Sequence, residues 1–380
     1  MKLPVTILCL LYYSLLPAQN DTSYHEPPIT LQSSYVSEFV TNHRGGLKTG
    51  TCYQGMANFT LSFDTRHARL WNGGTFYINA AHTHGGNPST QFIGDFQVAS
   101  NIEADNLTYF HEMWYSQSFG NANLTIGLQD LNVEFAASEY ASLFVNSSFG
   151  VHSTIADNII APIFPLTAFG IQFKYDLSPT LGIKLIAFDG FPTDFSENNP
   201  YNLHWNFTRE DGLLNIVQIN YKTLLRQNLT GAYSIGSYSH QHFTAEKVNK
   251  TNHWEITNYG FYLTGDQQIA QYTNGSILSS FLQASISPYQ KNENCFYLGF
   301  GFHYSGILCK NKADVTGIAI AHAGFDTPGR DETTIELTYQ YKLNDRLSVQ
   351  PDIQYIINPT GTGQKLPNAL VTALRFNIEL

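Results

Sequence analysis

The sequence predicts an all-β protein: a closed antiparallel transmembrane β-barrel of about sixteen strands, with short turns on one rim and long loops on the other. Three observations lead there. Segments of about ten residues alternate apolar and polar side chains from near residue 75 to the end of the chain. The chain opens on an apolar leader. After that leader no run of eighteen apolar residues occurs, so any membrane crossing must be made by strands closed on themselves.

Residues 1–18 read as a secretory signal, with Lys2 ahead of the apolar run Val5 to Leu16. Residues 19–50 are polar, contain Pro27, Pro28 and Gly45–Gly46, and are expected to form a mobile N-terminal segment. Residues 51–380 are expected to be one barrel domain, since no linker or change of composition divides them. In Gly170 to Leu177, Ile171, Phe173, Tyr175 and Leu177 share one face, while Gln172, Lys174 and Asp176 share the other. Further strands are expected at Leu107–Phe119, Leu124–Asp130, Gly182–Phe188, Leu213–Tyr221, Tyr259–Asp266, Phe281–Ser287 and Phe296–Tyr304. Ile335–Lys342, Leu347–Ile356 and Leu370–Leu380 close the series, and Thr75–Asn79 begins it. Asp176–Gly182 and Lys342–Leu347 read as tight turns, whereas Asp189–Asp211 and Gly236–Thr257 read as long polar loops. Roughly 22 residues per strand and connection would give the strand number. Tyr109, Trp114, Tyr115, Tyr175, Tyr339 and Tyr341 are expected in interfacial girdles.

Composition narrows the function. Charged residues are 13% of the chain, low for a soluble protein, and aromatic residues are 14%, too many for a disordered one. A formal net charge of -10 disfavours nucleic acid as a partner. Cys52, Cys295 and Cys309 remain after the leader; Cys295 and Cys309 flank one strand, and both a bridge and free thiols stay open.

No nucleophile elbow, phosphate-binding loop, HExxH or CxxC motif is present. His82–Thr83–His84 and His240–Gln241–His242 could each present two imidazoles on one strand face, without a third ligand in view. Asp130, Glu134 and Glu139 form a carboxylate group that a glycosidase would also carry, but charges shaping a polar lumen account for it more simply.

Several stretches together resemble the carbohydrate-selective porin family (OprB type). They include GGLKTGTCYQG (45–55), WNGGTFYINAAHTHGGNPS (71–89), LQDLNVEFAASEYASLFVNSSFG (128–150) and FPLTAFGIQFKYDLSPTLGIKLIAFDG (164–190). SNIEADNLTYFHEMWYSQSF (100–119), NYGFYLTGDQQI (258–269) and DETTIELTYQYKLNDRLSVQPDIQYIINPTGTG (331–363) complete the set. The resemblance implies a sixteen-stranded barrel in the outer membrane of a Gram-negative bacterium. It would pass sugars by passive diffusion through a lumen narrowed by in-folded loops. No cofactor, metal or catalytic residue is expected. The implied partners are mono- and oligosaccharides, outer-membrane lipid and the barrel-assembly machinery, with a homotrimer left open.

The expected constriction is Ser138–Gly150, where Glu139, Tyr140, Asn146 and Ser147 could contact a sugar, with Asp130 and Glu134 just before them. Lys174, Glu336, Gln350, Asp352 and Arg375 are expected on the pore wall, because Arg or Lys facing lipid at mid-membrane costs roughly 2–4 kcal/mol. Trp71 and Trp205 could be stacking or girdle residues. Two alternatives from other classes are a lipase-like barrel enzyme, which needs a Ser that nothing marks, and a secreted soluble sugar-binding β-protein.

Overall fold

Sixteen antiparallel strands, each bonded to its sequence neighbours, close on themselves where the first meets the last. A computed structural model gives this arrangement and describes residues 27–208, 211–225, 229–245, 252–307 and 314–380. The strands are β1 (Ile29–Arg44), β2 (Gly50–Asp64), β3 (Gly74–Gly85), β4 (Leu107–Phe119), β5 (Ala122–Gln129), β6 (Ala168–Asp176), β7 (Leu181–Asp189) and β8 (Leu213–Leu225). They continue as β9 (Leu229–Ala245), β10 (Asn252–Gln271), β11 (Ile277–Ile286), β12 (Asn294–Ser305), β13 (Val315–Phe325), β14 (Glu332–Asn344), β15 (Leu347–Ile357) and β16 (Ala369–Glu379). Residues 1–18, where a leader is expected, and Cys309 lie outside the described residues; Cys52 and Cys295 are free thiols.

The alternation sets the two faces. Ile171, Phe173 and Tyr175 of β6 are exposed outward, as are Ile318 and Ile320 of β13 and Ile335 and Leu337 of β14. The intervening Gln172, Ala319 and Glu336 are buried inward. No helix among the described residues is long and apolar enough to cross a membrane. Closure leaves no unpaired strand edge, as a sheet in lipid requires.

Three expectations are corrected. The polar segment 19–50 is not a free lead-in: β1 lies within it and pairs with both β2 and β16. Its sparse apolar residues suffice because only one of its two faces points outward. Within the expected long loop Gly236–Thr257, residues 236–245 and 252–257 are paired ends of β9 and β10, whose polar residues alternate too weakly to announce strands, and residues 246–251 lie outside the described residues. Trp114 and Tyr109 point inward rather than into an outer girdle, whereas Tyr175 and Tyr341 are exposed outside. For Trp114 the cause is a register shift in β4 between Phe110 and Glu112, which reverses the phase of every later side chain in that strand, whereas Tyr109 precedes the shift and pairs with buried Ala81.

Connections on one rim are short, such as residues 120–121, 177–180 and 345–346. Those on the other rim include residues 86–106 and 130–167, and these two fold back into the barrel. We call them the first and second inner loops.

Candidate functional site

Apolar packing carries both inner loops against the wall. In the second, Leu131, Phe135, Ile155 and Ile159 pack on Ile186, Phe188, Leu214, Ile216, Tyr238 and Tyr262 of β7 to β10. Farther along it, Tyr140, Phe144 and Phe149 meet Phe281, Tyr297, Ala319 and Ala321 of β11 to β13. The inward face of β13 is built from small residues, and a Cβ on Gly317 would stand 2.6 Å from the Phe144 ring, so the wall is hollowed to receive the loop. Ile93 and Ala99 of the first loop pack on Val40, Ile356, Val371 and Ala373.

Buried wall carboxylates then fix the loop backbones. Glu332 accepts from the amides of Phe96 (2.7 Å), Gln97 (2.9 Å) and Thr360 (2.9 Å). Glu336 accepts from Val145 N (2.6 Å) and Asn146 N (3.0 Å). Asp266 accepts from Glu139 N (2.9 Å), Tyr140 N (3.3 Å) and the Ser138 hydroxyl (2.6 Å). Each carboxylate thus takes two consecutive loop amides, donors that the irregular backbone could not otherwise satisfy in a barrel interior.

Between the two loops lies a cavity of about 510 Å³. Phe96, Asn101 and Glu103 of the first loop line it, with Asp130, Asn132, Ser147, Asp157 and Phe164 of the second and His111 and Arg375 of the wall. Arg375 is buried, with Nε 2.8 Å from Glu38 Oε2 and Nη2 2.7 Å from Asn101 Oδ1. Glu38 also accepts from Ser100 and Gln54, so one carboxylate joins wall, loop and arginine. Asp130 is shared similarly: Oδ1 caps the short helix α1 (Leu131–Glu134) through Asn132 N at 2.7 Å, and Oδ2 meets His111 Nε2 at 3.1 Å.

A second cavity, of about 700 Å³, opens toward the short-turn rim beside Lys174, Lys184, Asp176 and Lys222. Glu134 reaches it from α1, ion-paired to Lys174 and, at 2.6 Å, to Lys184. Burial pushes the Glu134 carboxyl up, but the two ammonium groups outweigh it and hold the carboxyl below its usual range. Within the first loop, burial raises the Asp95 carboxyl to about 6, and burial together with the Asp95 charge raises Glu103 to about 7.

Of the residues expected at the constriction, Asp130 and Ser147 line the passage, and the Ser147 hydroxyl bridges the two loops by donating to Ser100 O at 3.2 Å. Glu139 lines a cavity nearer the short turns, and Glu134 is ion-paired to Lys174 and Lys184, which line another. Two do not stand free in the passage. Asn146 is buried, its amide bonding Gln354 and its carbonyl the Ser148 amide, and Tyr140 is buried against the His303 ring. The three carboxylates of a glycosidase reading go to separate partners: Asp130 to His111, Glu134 to two lysines, and Glu139 to an exposed position.

Of the wall residues, Lys174 and Arg375 reach the cavities. Glu336, Gln350 and Asp352 face inward but are buried beneath the second loop, where Gln350 donates to Leu143 O at 2.7 Å. Trp71 stands on the short-turn rim, bonded to Tyr115 and Gln117, and Trp205 packs on Phe169. His82 and His84 stack on the outer face, the side chain of His242 lies outside the described residues, and no group of three metal-binding side chains occurs among those described. Sequence reading missed Glu38, Asp266 and Glu332; the available signal was a lone carboxylate among uncharged inward positions of a strand.

Comparison with known proteins places this geometry. Residues 48–380 match the family model described as carbohydrate-selective porin, OprB family. Porin B of Pseudomonas aeruginosa is 21% identical over 90% of this chain and 85% of its own. The structure of Pseudomonas putida OprB at high pH superposes with a TM-score of 0.81, at 19% identity, covering 93% of this chain and 94% of that one. The low-pH structure of the same protein gives a TM-score of 0.60 at 16% identity, over 93% of each chain.

Proposed function

The chain belongs to the carbohydrate-selective porin family, OprB type, and from that premise we propose that sugars cross it through the passage between the two inner loops. It is an outer-membrane porin, a channel rather than an enzyme. The observation that carries the route is the lining of the 510 Å³ cavity: amides, carboxylates, one arginine and two phenyl rings converge there. A neutral sugar has hydroxyls that exchange hydrogen bonds with Asn101, Asn132, Asp130 and Arg375, and C–H faces that Phe96 and Phe164 can cover. The cavity falls within the roughly 300–1,000 Å³ range of ligand sites. Because it is open to water, binding stays weak enough for release.

Movement is diffusive, driven by the concentration gradient, and the apolar outer face meets outer-membrane lipid. Single-channel conductance of the purified protein in a planar bilayer, titrated with glucose and maltose, tests this. Discrete steps reduced by sugar are expected. Steps indifferent to both sugars would remove the sugar route and leave an unselective pore.

A further inference from the structure

Tyr77 of β3 and Trp114 of β4 are register partners, and their rings stack with centroids 4.8 Å apart and planes 22° from parallel. Both point into the lumen. Tyr77 shares a strand face with buried Asn79, and Trp114 shares one with Glu112, the partner of Asn79; Phe76, exposed outside, sits on the opposite face. The rings are half-exposed, and neither belongs to the apolar clusters that seat the inner loops. They lie near the short-turn ends of their strands, with Gly74 opening β3.

Apart from Glu112, two residues before Trp114 on the same face, the surrounding inward positions are uncharged. Register places Asn58, Thr60 and Ser62 of β2 beside Ala81, Asn79 and Tyr77, and Ser116 of β4 opposite both Thr75 and Thr125. Amides and hydroxyls therefore frame an open aromatic ledge, while Lys174, Lys184 and Lys222 stand across β6 to β8. A half-exposed pair of rings in a polar channel wall matches a solute that is itself polar at its rim and apolar on its ring face.

We propose that Tyr77 and Trp114 form a second sugar subsite, beyond the constriction toward the short-turn rim, which holds the C–H face of a pyranose while neighbouring hydroxyls bond its edge. The proposal rests on the sugar-porin reading above. A sugar leaving the loop-lined passage meets the ledge before the rim, so the two subsites hand it on in sequence. Stacking supplies a hold for the apolar ring face, and Glu112 beside Trp114 can accept from a sugar hydroxyl.

The test is glucose block of conductance in wild type, Trp114→Ala and Trp114→Phe, with folding checked by heat-modifiable electrophoretic mobility. Trp114→Ala is expected to raise the half-blocking glucose concentration roughly three- to tenfold, while Trp114→Phe stays within about twofold. A folded, conducting Trp114→Ala channel with unchanged block overturns the subsite and leaves the sugar-porin reading intact. Absence of block in wild type overturns both. Should the alanine variant not fold, a chain with Trp71, Trp205 and Trp254 changed to Phe makes Trp114 the sole indole. Its emission should then respond to glucose over the range that blocks conductance, and a flat response overturns the subsite.

Discussion

Replacing Glu336 by Gln tests whether the wall carboxylates hold the aperture. Glu336 Oε1 and Oε2 accept from two successive amides, Val145 N at 2.6 Å and Asn146 N at 3.0 Å. Hydrogen bonds to a carboxyl group contribute about 1–3 kcal/mol each, so the pair has an upper limit near 6 kcal/mol. Glutamine keeps one acceptor but turns its NH2 toward the other amide, leaving two donors face to face. The expected loss is therefore one bond, about 1–3 kcal/mol, which raises the undocked population of this stretch roughly 5- to 150-fold. The loop does not leave, because Asp266 still holds Glu139 and Tyr140, and Phe144 and Phe149 still pack on Phe281. Single-channel recordings should show larger and noisier steps with weaker maltose block, in a barrel of normal heat-modifiable mobility. A folded Glu336→Gln channel with wild-type steps and wild-type block would refute the reasoning.

Glu134→Gln should leave Lys174 and Lys184 without their shared counter-charge and shift the reversal potential in a KCl gradient toward anions; an unmoved potential would show that neither lysine senses the permeating ions. Folding stability should depend on pH through the first inner loop. Asp95 and Glu103 are raised to about 6 and about 7, so the folded state binds protons more tightly than the unfolded chain. Their contribution is complete below the ordinary carboxylate range and is lost as pH rises through those values. The unfolding temperature in detergent should accordingly fall between about pH 4 and pH 7, and fall less in an Asp95→Asn, Glu103→Gln double variant; equal slopes would count against the assignment.

The sequence made the barrel legible wherever the outer face is greasy. Phe296, Leu298, Phe300 and Phe302 alternate with Gly and Tyr residues so regularly that β12 could be placed within a residue or two. The strands it hid have weak contrast. β13 alternates Ile with Ala and Gly because its inner face was hollowed for Phe144, and β9 alternates polar with polar. At the site, Lys174, Glu336 and Arg375 lie on inward faces, a placement that follows from parity. What parity cannot reveal is the material packed over an inward residue. Glu336, Gln350 and Asp352 have the right orientation and are nonetheless sealed beneath residues some two hundred positions earlier. Trp114 failed for a local reason, since the shift at His111 transfers it from the lipid face to the lumen.

The seam between β1 and β16 has a consequence for biogenesis. Glu38 and Arg375 stand directly opposite across it, 337 positions apart in the chain, and form a buried ion pair. Nearly all the intervening strands must be stacked before that contact is within reach, which makes it among the last to form. A chain cut short before β16 would keep β1 as an open edge, with Glu38 buried and uncompensated, ready to pair with the wrong sheet. Closing the ring therefore acts as a check on the whole polypeptide: the lock turns only when the two ends arrive together.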